Sequence, residues 1–156
     1  QTRLRMDKSI ETRIARYGTA GPVIRGVKAF SRAKSGRRAD LGGLYVRSRW
    51  EANYARYLNF LLGRGDIASW VYEGKTFRFD KIVRGCITYT PDFVVVKPDG
   101  STEYHEVKGW MDPKSKTRIG RMEKFYPDVK LLIIEKTIYY SIERQLGKVI
   151  PCWEFP

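Results

Sequence analysis

Histidine, cysteine and long apolar runs are scarce in this chain, and each scarcity closes off a class of function. There is one histidine, His105, and the two cysteines, Cys86 and Cys152, lie far apart in sequence. That leaves no metal-site spacing and no support for zinc chemistry, so the expectation is two unpaired thiols in a reducing cytosol. His105 alternates away from its neighbour Glu106 and reads as a packing or surface residue. No apolar stretch is long enough to cross a bilayer. The basic, polar N-terminus has no signal-peptide pattern, and a cytoplasmic protein with no membrane partner is expected. Because the chain starts with Gln1, an initiator Met is expected to have been trimmed or to lie upstream.

Acidic residues are also in the minority. The chain has 30 Lys and Arg against 17 Asp and Glu, a net charge of +13. The excess is uneven: residues 1–49 hold 13 basic and 3 acidic residues, and residues 50–156 hold 17 and 14. Such asymmetry points to a basic arm that meets a polyanion. Nucleic acid is the natural partner, because neutralising its phosphates releases counterions. With 156 residues, one domain is expected: a basic N-terminal arm over 1–44 and a core domain over 45–156. Within the arm, Ile10, Ile14 and Tyr17 recur at helical spacing between a capping Asp7 and Gly18, and residues 18–44 read as a Gly-rich, basic linker.

The core begins with a helix from Ser48 to about Leu62. Ser48-x-x-Glu51 fits a capping box, and Trp50, Tyr54, Tyr57, Leu58 and Leu61 form an apolar stripe. Glu51 lies at the edge of that stripe, so its spacing suits a simple cap or a residue aimed at a neighbouring sheet. Ile67 to Tyr72 and Lys75 to Phe79 alternate like strands around a bend at Gly74, with Glu73 as a turn residue. Further strands are expected over Phe93–Val96 and Thr102–Val107. Asp112-Pro113 then starts a helix to about Phe125, because Asp caps and Pro suits the first helical position. Val129 to Ile134 reads as a central strand, and a last helix runs from a Thr137 cap to near Gly147. The order implies an α/β fold, a mixed central sheet flanked by helices.

The chemistry is concentrated in one hairpin. Pro98-Asp99-Gly100 suits a three-residue loop, with Pro first in a type I turn and Gly at the left-handed position. If Lys97 then pairs with Ser101, Val94 faces Tyr104 and Asp92 lies opposite Glu106. Directly opposed residues share a face, with Cβ atoms roughly 4.5–5.5 Å apart. Lys108, two residues beyond Glu106, shares that face as well. A four-residue loop would slip the register by one and separate the carboxylates.

Two adjacent carboxylates repel unless a cation lies between them. Mg²⁺ prefers oxygen ligands, commonly one or two carboxylates plus water and substrate phosphate. A lysine within reach steadies charge on that phosphate. Asp92, Glu106 and Lys108 are therefore candidate catalytic residues for phosphodiester hydrolysis, with Asp92 and Glu106 as candidate metal ligands. Lys114, Lys116, Arg118 and Arg121 crowd the helix that follows Lys108 and are expected to hold phosphates. Arg47 and Arg49, at the start of the first core helix, are expected to do the same.

Tyr89-x-Pro91-Asp92-Phe93 and Glu106-Val107-Lys108-Gly109, with Arg47-Ser48 and Glu51 on a helix upstream, resemble the PD-(D/E)XK nuclease superfamily. The similarity covers roughly Tyr45 to Ile134 and is greatest to phage-type Holliday-junction resolvases of the endonuclease I kind. The resemblance implies a restriction-endonuclease-like core, and a Mg²⁺ ion (or Mn²⁺) held by Asp92, Glu106 and the Val107 carbonyl. It implies Lys108 as the catalytic lysine, Glu51 at the metal site, a homodimer, and branched DNA as substrate, in a host cytoplasm if the protein is phage-encoded. The arm lies outside the shared core. A sequence-specific endonuclease and a non-catalytic DNA-binding protein are the competing readings.

Overall fold

The computed structural model describes residues 35–156. The expected helix around Ile10 to Tyr17 and most of the basic arm lie outside the described residues.

The first described element corrects an expectation. Residues read as linker form a hairpin, β1 (Gly36–Arg38) and β2 (Leu44–Val46), joined by a 3-10 turn over Ala39–Leu41. Leu41, Leu44 and Val46 are buried in the main core, so the fold begins before residue 45. The segment's charges are satisfied at long range. Arg38 Nε donates to Glu154 Oε1 at 2.6 Å, Arg56 Nη1 donates to the same oxygen at 2.8 Å, and Arg56 Nε reaches Asp40 Oδ2 at 2.6 Å. Asn53 locks the C-terminal end of the network, with its Nδ2 donating to the Glu154 carbonyl and its Oδ1 accepting the Glu154 N–H.

Helix α1 spans Arg49–Arg64 and starts as its capping residues dictate. The Ser48 hydroxyl accepts the Glu51 N–H at 3.1 Å. The helix runs past Gly63 and ends at Gly65, whose φ of 79° provides the left-handed stop. Its face of Ala52, Tyr54, Ala55 and Leu58 packs on the sheet.

That sheet has four strands in the order β3 (Ser69–Tyr72), β6 (Phe93–Val96), β7 (Thr102–Lys108) and β8 (Lys130–Glu135). β3–β6 and β6–β7 are antiparallel, and β7–β8 is parallel. A parallel pair needs a crossover, which helix α2 (Pro113–Phe125) provides, capped by the Asp112 side chain on the Ser115 N–H. β8 is an edge strand rather than the expected central one. Its apolar run reflects cover on both faces, not a strand on either side. Helix α3 (Lys136–Leu146) starts one residue before Thr137 and carries no side-chain cap.

Alternation divides the sheet into two faces. Phe93, Val95 and Val107 meet α1, Tyr139 and Trp153. Val71 and Val94 turn the other way, under Tyr104. On that side a small separate hairpin, β4 (Phe77–Arg78) and β5 (Thr88–Tyr89), packs with Met122 of α2. The two strands expected around Gly74 therefore belong to different sheets. Glycine is required at the bend between them: a Cβ on Gly74 would lie 3.0 Å from the Val94 side chain. Glu73, expected as a turn residue, takes a φ of 47° beside it.

Glu154 is the buried anion shared by Arg38 and Arg56. Breaking a buried ion pair from one side costs about 3–5 kcal/mol. Glu154→Gln is therefore expected to lower the unfolding free energy by about that much in urea titration, and a loss under about 1 kcal/mol would show that the network does not hold the C-terminus.

Candidate active site

The hairpin register places the candidate residues. Lys97 N–H donates to the Ser101 carbonyl at 2.8 Å, Gly100 N–H donates to the Lys97 carbonyl at 2.9 Å, and Gly100 has a φ of 85°. Val94 pairs with Tyr104 and Phe93 with His105. Carried one residue past the ladder, this register sets Asp92 opposite Glu106, as the turn chemistry predicts.

Asp92, Glu106, Val107, Lys108, Glu51, Arg47 and Arg118 all line one cleft of about 330 Å³, joined by Thr88, Tyr89 and Thr90. The three carboxylates are buried, and each is held. Asp92 Oδ2 accepts the Val107 N–H at 2.8 Å, and its Oδ1 meets Arg47 Nη2 at 2.9 Å. Glu106 accepts the Tyr89 hydroxyl at 3.0 Å, and its other oxygen lies 2.9 Å from Lys108 Nζ. Glu51 accepts from the Tyr72 hydroxyl, the Ser48 hydroxyl and the Arg47 N–H. Glu51 thus takes part in the helix cap and also lines the cleft.

Burial, followed by the charges of Glu106 and Glu51, pushes Asp92 up to about 7, against the Val107 N–H and Arg47, which pull it down. Burial and the neighbouring Glu106 raise the Tyr89 hydroxyl, and burial and Glu51 raise that of Tyr72. Both phenols therefore stay protonated and donate. Burial works against the Arg47 charge, but Tyr72, Glu73, Asp92 and Glu51 outweigh it and raise its pKa.

Tyr72, which the sequence does not mark as a site residue, and Glu73, whose place beside Gly74 suits a turn or a site role, complete the arrangement. Glu73 lies 2.9 Å from Arg47 Nη2, which therefore bridges it to Asp92. The alternation of Trp70 and Tyr72 marked Tyr72 as half-buried, and only the packing of α1 on β3 brings it to Glu51. Four other basic candidates lie elsewhere. The Arg49 guanidinium donates to the Phe155 carbonyl. Arg121 donates to the Cys86 carbonyl and so pins the β4–β5 loop. Lys114 is exposed on α2, and Lys116 lines a separate pocket. His105 is a packing residue, its Nδ1 2.8 Å from the Tyr54 hydroxyl on the opposite face of the sheet. Cys86 and Cys152 are free thiols.

Among the described residues, no three acidic, His or Cys side chains converge as a finished coordination shell. Two opposed, buried carboxylates, one with its acidity suppressed by burial and by the other's charge, are nonetheless a hard-oxygen donor set. That set suits Mg²⁺, which retains water and takes few protein ligands. No helix among the described residues is long and apolar enough to cross a membrane.

A raised carboxyl pKa stabilises the fold below the unfolded value, and that stability is lost as pH rises through the folded value. Asp92 therefore costs stability progressively as pH rises from about 4, and in full above about pH 7. In chelator at pH 8, Asp92→Asn is expected to raise the melting temperature by about 3 °C or more, with the gain shrinking towards pH 4. Mg²⁺ or Mn²⁺ is expected to raise the wild-type value and leave the variant unmoved. No gain at pH 8 would show that Asp92 is not under electrostatic stress.

No curated protein and no solved structure matches the chain. One family model, described as a protein of unknown function (DUF1064), matches residues 33–142. That span starts just before β1, ends within α3 and takes in every residue of the cleft. The chain belongs to this family, DUF1064.

Proposed function

We propose that this protein is a metal-dependent DNA endonuclease that hydrolyses phosphodiester bonds in branched DNA, the junction-resolving activity implied by its resemblance to PD-(D/E)XK nucleases. The observation that carries the reading is the pairing of two buried carboxylates, Asp92 and Glu106, with Lys108 held 2.9 Å from Glu106. A purely binding surface gains nothing from carboxylates buried together where a phosphate must approach.

Asp92 and Glu106 would hold Mg²⁺ or Mn²⁺, with Glu51 and the Val107 carbonyl beside them. When bound, the ion supplies a polarised phosphoryl oxygen and a water of lowered pKa. The protein's own groups do the positioning. The Val107 N–H fixes Asp92, and the Tyr89 hydroxyl fixes Glu106. Lys108 steadies charge on the phosphate. Arg118 and Arg47 line the same cleft, where they hold the phosphates flanking the cut. Contacts of this kind position a duplex without reading its sequence. Symmetric cutting of two strands needs two such sites, so the acting form is a homodimer.

An immobile four-way junction and a linear duplex of matching sequence, each with Mg²⁺ and with chelator, test the reading. Paired symmetric nicks in the junction alone are expected, and equal cutting of both would make the enzyme a general or sequence-specific endonuclease. Asp92→Asn, Glu106→Gln and Lys108→Ala are each expected to slow cutting by on the order of 10²–10³ or more. Junction binding in chelator should persist in all three and fall steeply with salt. Undiminished cutting by Asp92→Asn would exclude this metal site, and binding without any cutting by the wild type would leave a DNA-binding protein.

A further inference from the structure

A second concavity adjoins the cleft and is unused by the chemistry above. It measures about 280 Å³ and is walled by Lys108, Gly109, Trp110, Lys116, Glu135 and Lys136, among others. Lys108 lines both spaces, so they meet at the lysine assigned to the scissile phosphate. Trp110 is 76% exposed, more than any other aromatic side chain among the described residues. The residue before it runs close to the core. A Cβ on Gly109 would lie 3.6 Å from the Trp50 ring, and Trp50 is stacked on buried Tyr139 with centroids 3.9 Å apart. The exposed indole shares the wall of this concavity with Lys116 and Lys136, both exposed, and with Glu135 as the one acidic wall.

An exposed indole flanked by lysines has the two elements that hold single-stranded nucleic acid: a face on which a base stacks and cations for the phosphates. Bases within a duplex are stacked on both sides and offer no free face. The pocket lies near the lower end of small-ligand cavities, about 300–1,000 Å³, which suits one nucleotide and not a double helix. We propose that Trp110 stacks an unpaired base of the substrate next to the cleavage site, with Lys116 and Lys136 on its phosphates. The inference rests on the nuclease reading and sharpens it: the favoured substrates carry an unpaired or splayed nucleotide at the cut.

Anisotropy with labelled DNA in chelator tests this apart from cutting. Three probes are used: a single-stranded oligothymidine, a duplex with one unpaired nucleotide, and the same duplex fully paired. Trp110→Ala is expected to weaken the first two by about tenfold, in line with the loss of one stacked base, and the paired duplex by less than about twofold. Trp110→Phe should restore most of the affinity, and both variants should melt like the wild type because the side chain is exposed. Lys116→Gln with Lys136→Gln should weaken all three probes and flatten the salt dependence. Equal loss on all probes in Trp110→Ala, or none, overturns the stacking site, and lysine variants that bind like the wild type overturn its phosphate half. If the selective loss holds while no probe or junction is cut in Mg²⁺, the subsite stands and the nuclease reading falls.

Discussion

The turn at Pro98-Asp99-Gly100 fixes the register on which the rest of the site depends. Asp99 accepts both the N–H and the hydroxyl of Ser101, and Gly100 supplies the left-handed residue. A slip of one residue would send Asp92 and Glu106 to opposite faces. The turn lies at the far end of β6 and β7 from these carboxylates, so it sets their meeting without taking part in it. The meeting is electrostatically unfavourable: burial first, and then the charges of Glu106 and Glu51, raise the pKa of Asp92. What offsets it is local: the Val107 N–H and Arg47 on Asp92, and Lys108 and Tyr89 on Glu106.

The features legible in the sequence are those whose cause is local. The Ser48 cap, the Asp112-Pro113 helix start and the hairpin loop each need only a few neighbouring residues, and all three are where the sequence places them. The β1–β2 hairpin was illegible for the opposite reason. Its glycines and arginines look like linker until Arg38 meets Glu154, which lies 116 residues away. Tyr72 escaped for a similar reason, because its partner Glu51 belongs to another element. The misplacement of β8 has a different origin. An apolar run reports cover above and below a strand, and α2 and α3 provide that cover without a fifth strand alongside.

Charge is organised on two scales that oppose each other. Over the whole chain the excess is +13, a balance that on the proposed reading draws in a polyanion from a distance. Inside the cleft, Glu51, Asp92 and Glu106 outnumber what Lys108 alone can balance, and Arg47 is drawn in to share the task. Arg47 keeps 58% of its side chain exposed while it bridges Asp92 and Glu73. One guanidinium cannot neutralise Asp92 and hold a phosphate at full strength together. On the proposed reading, Asp92 and Glu106 would hold the cation, whose charge would relieve Arg47 of Asp92 and leave it for the phosphate. On that reading metal and substrate would favour each other's binding, since each would relieve a charge conflict that the other alone would leave.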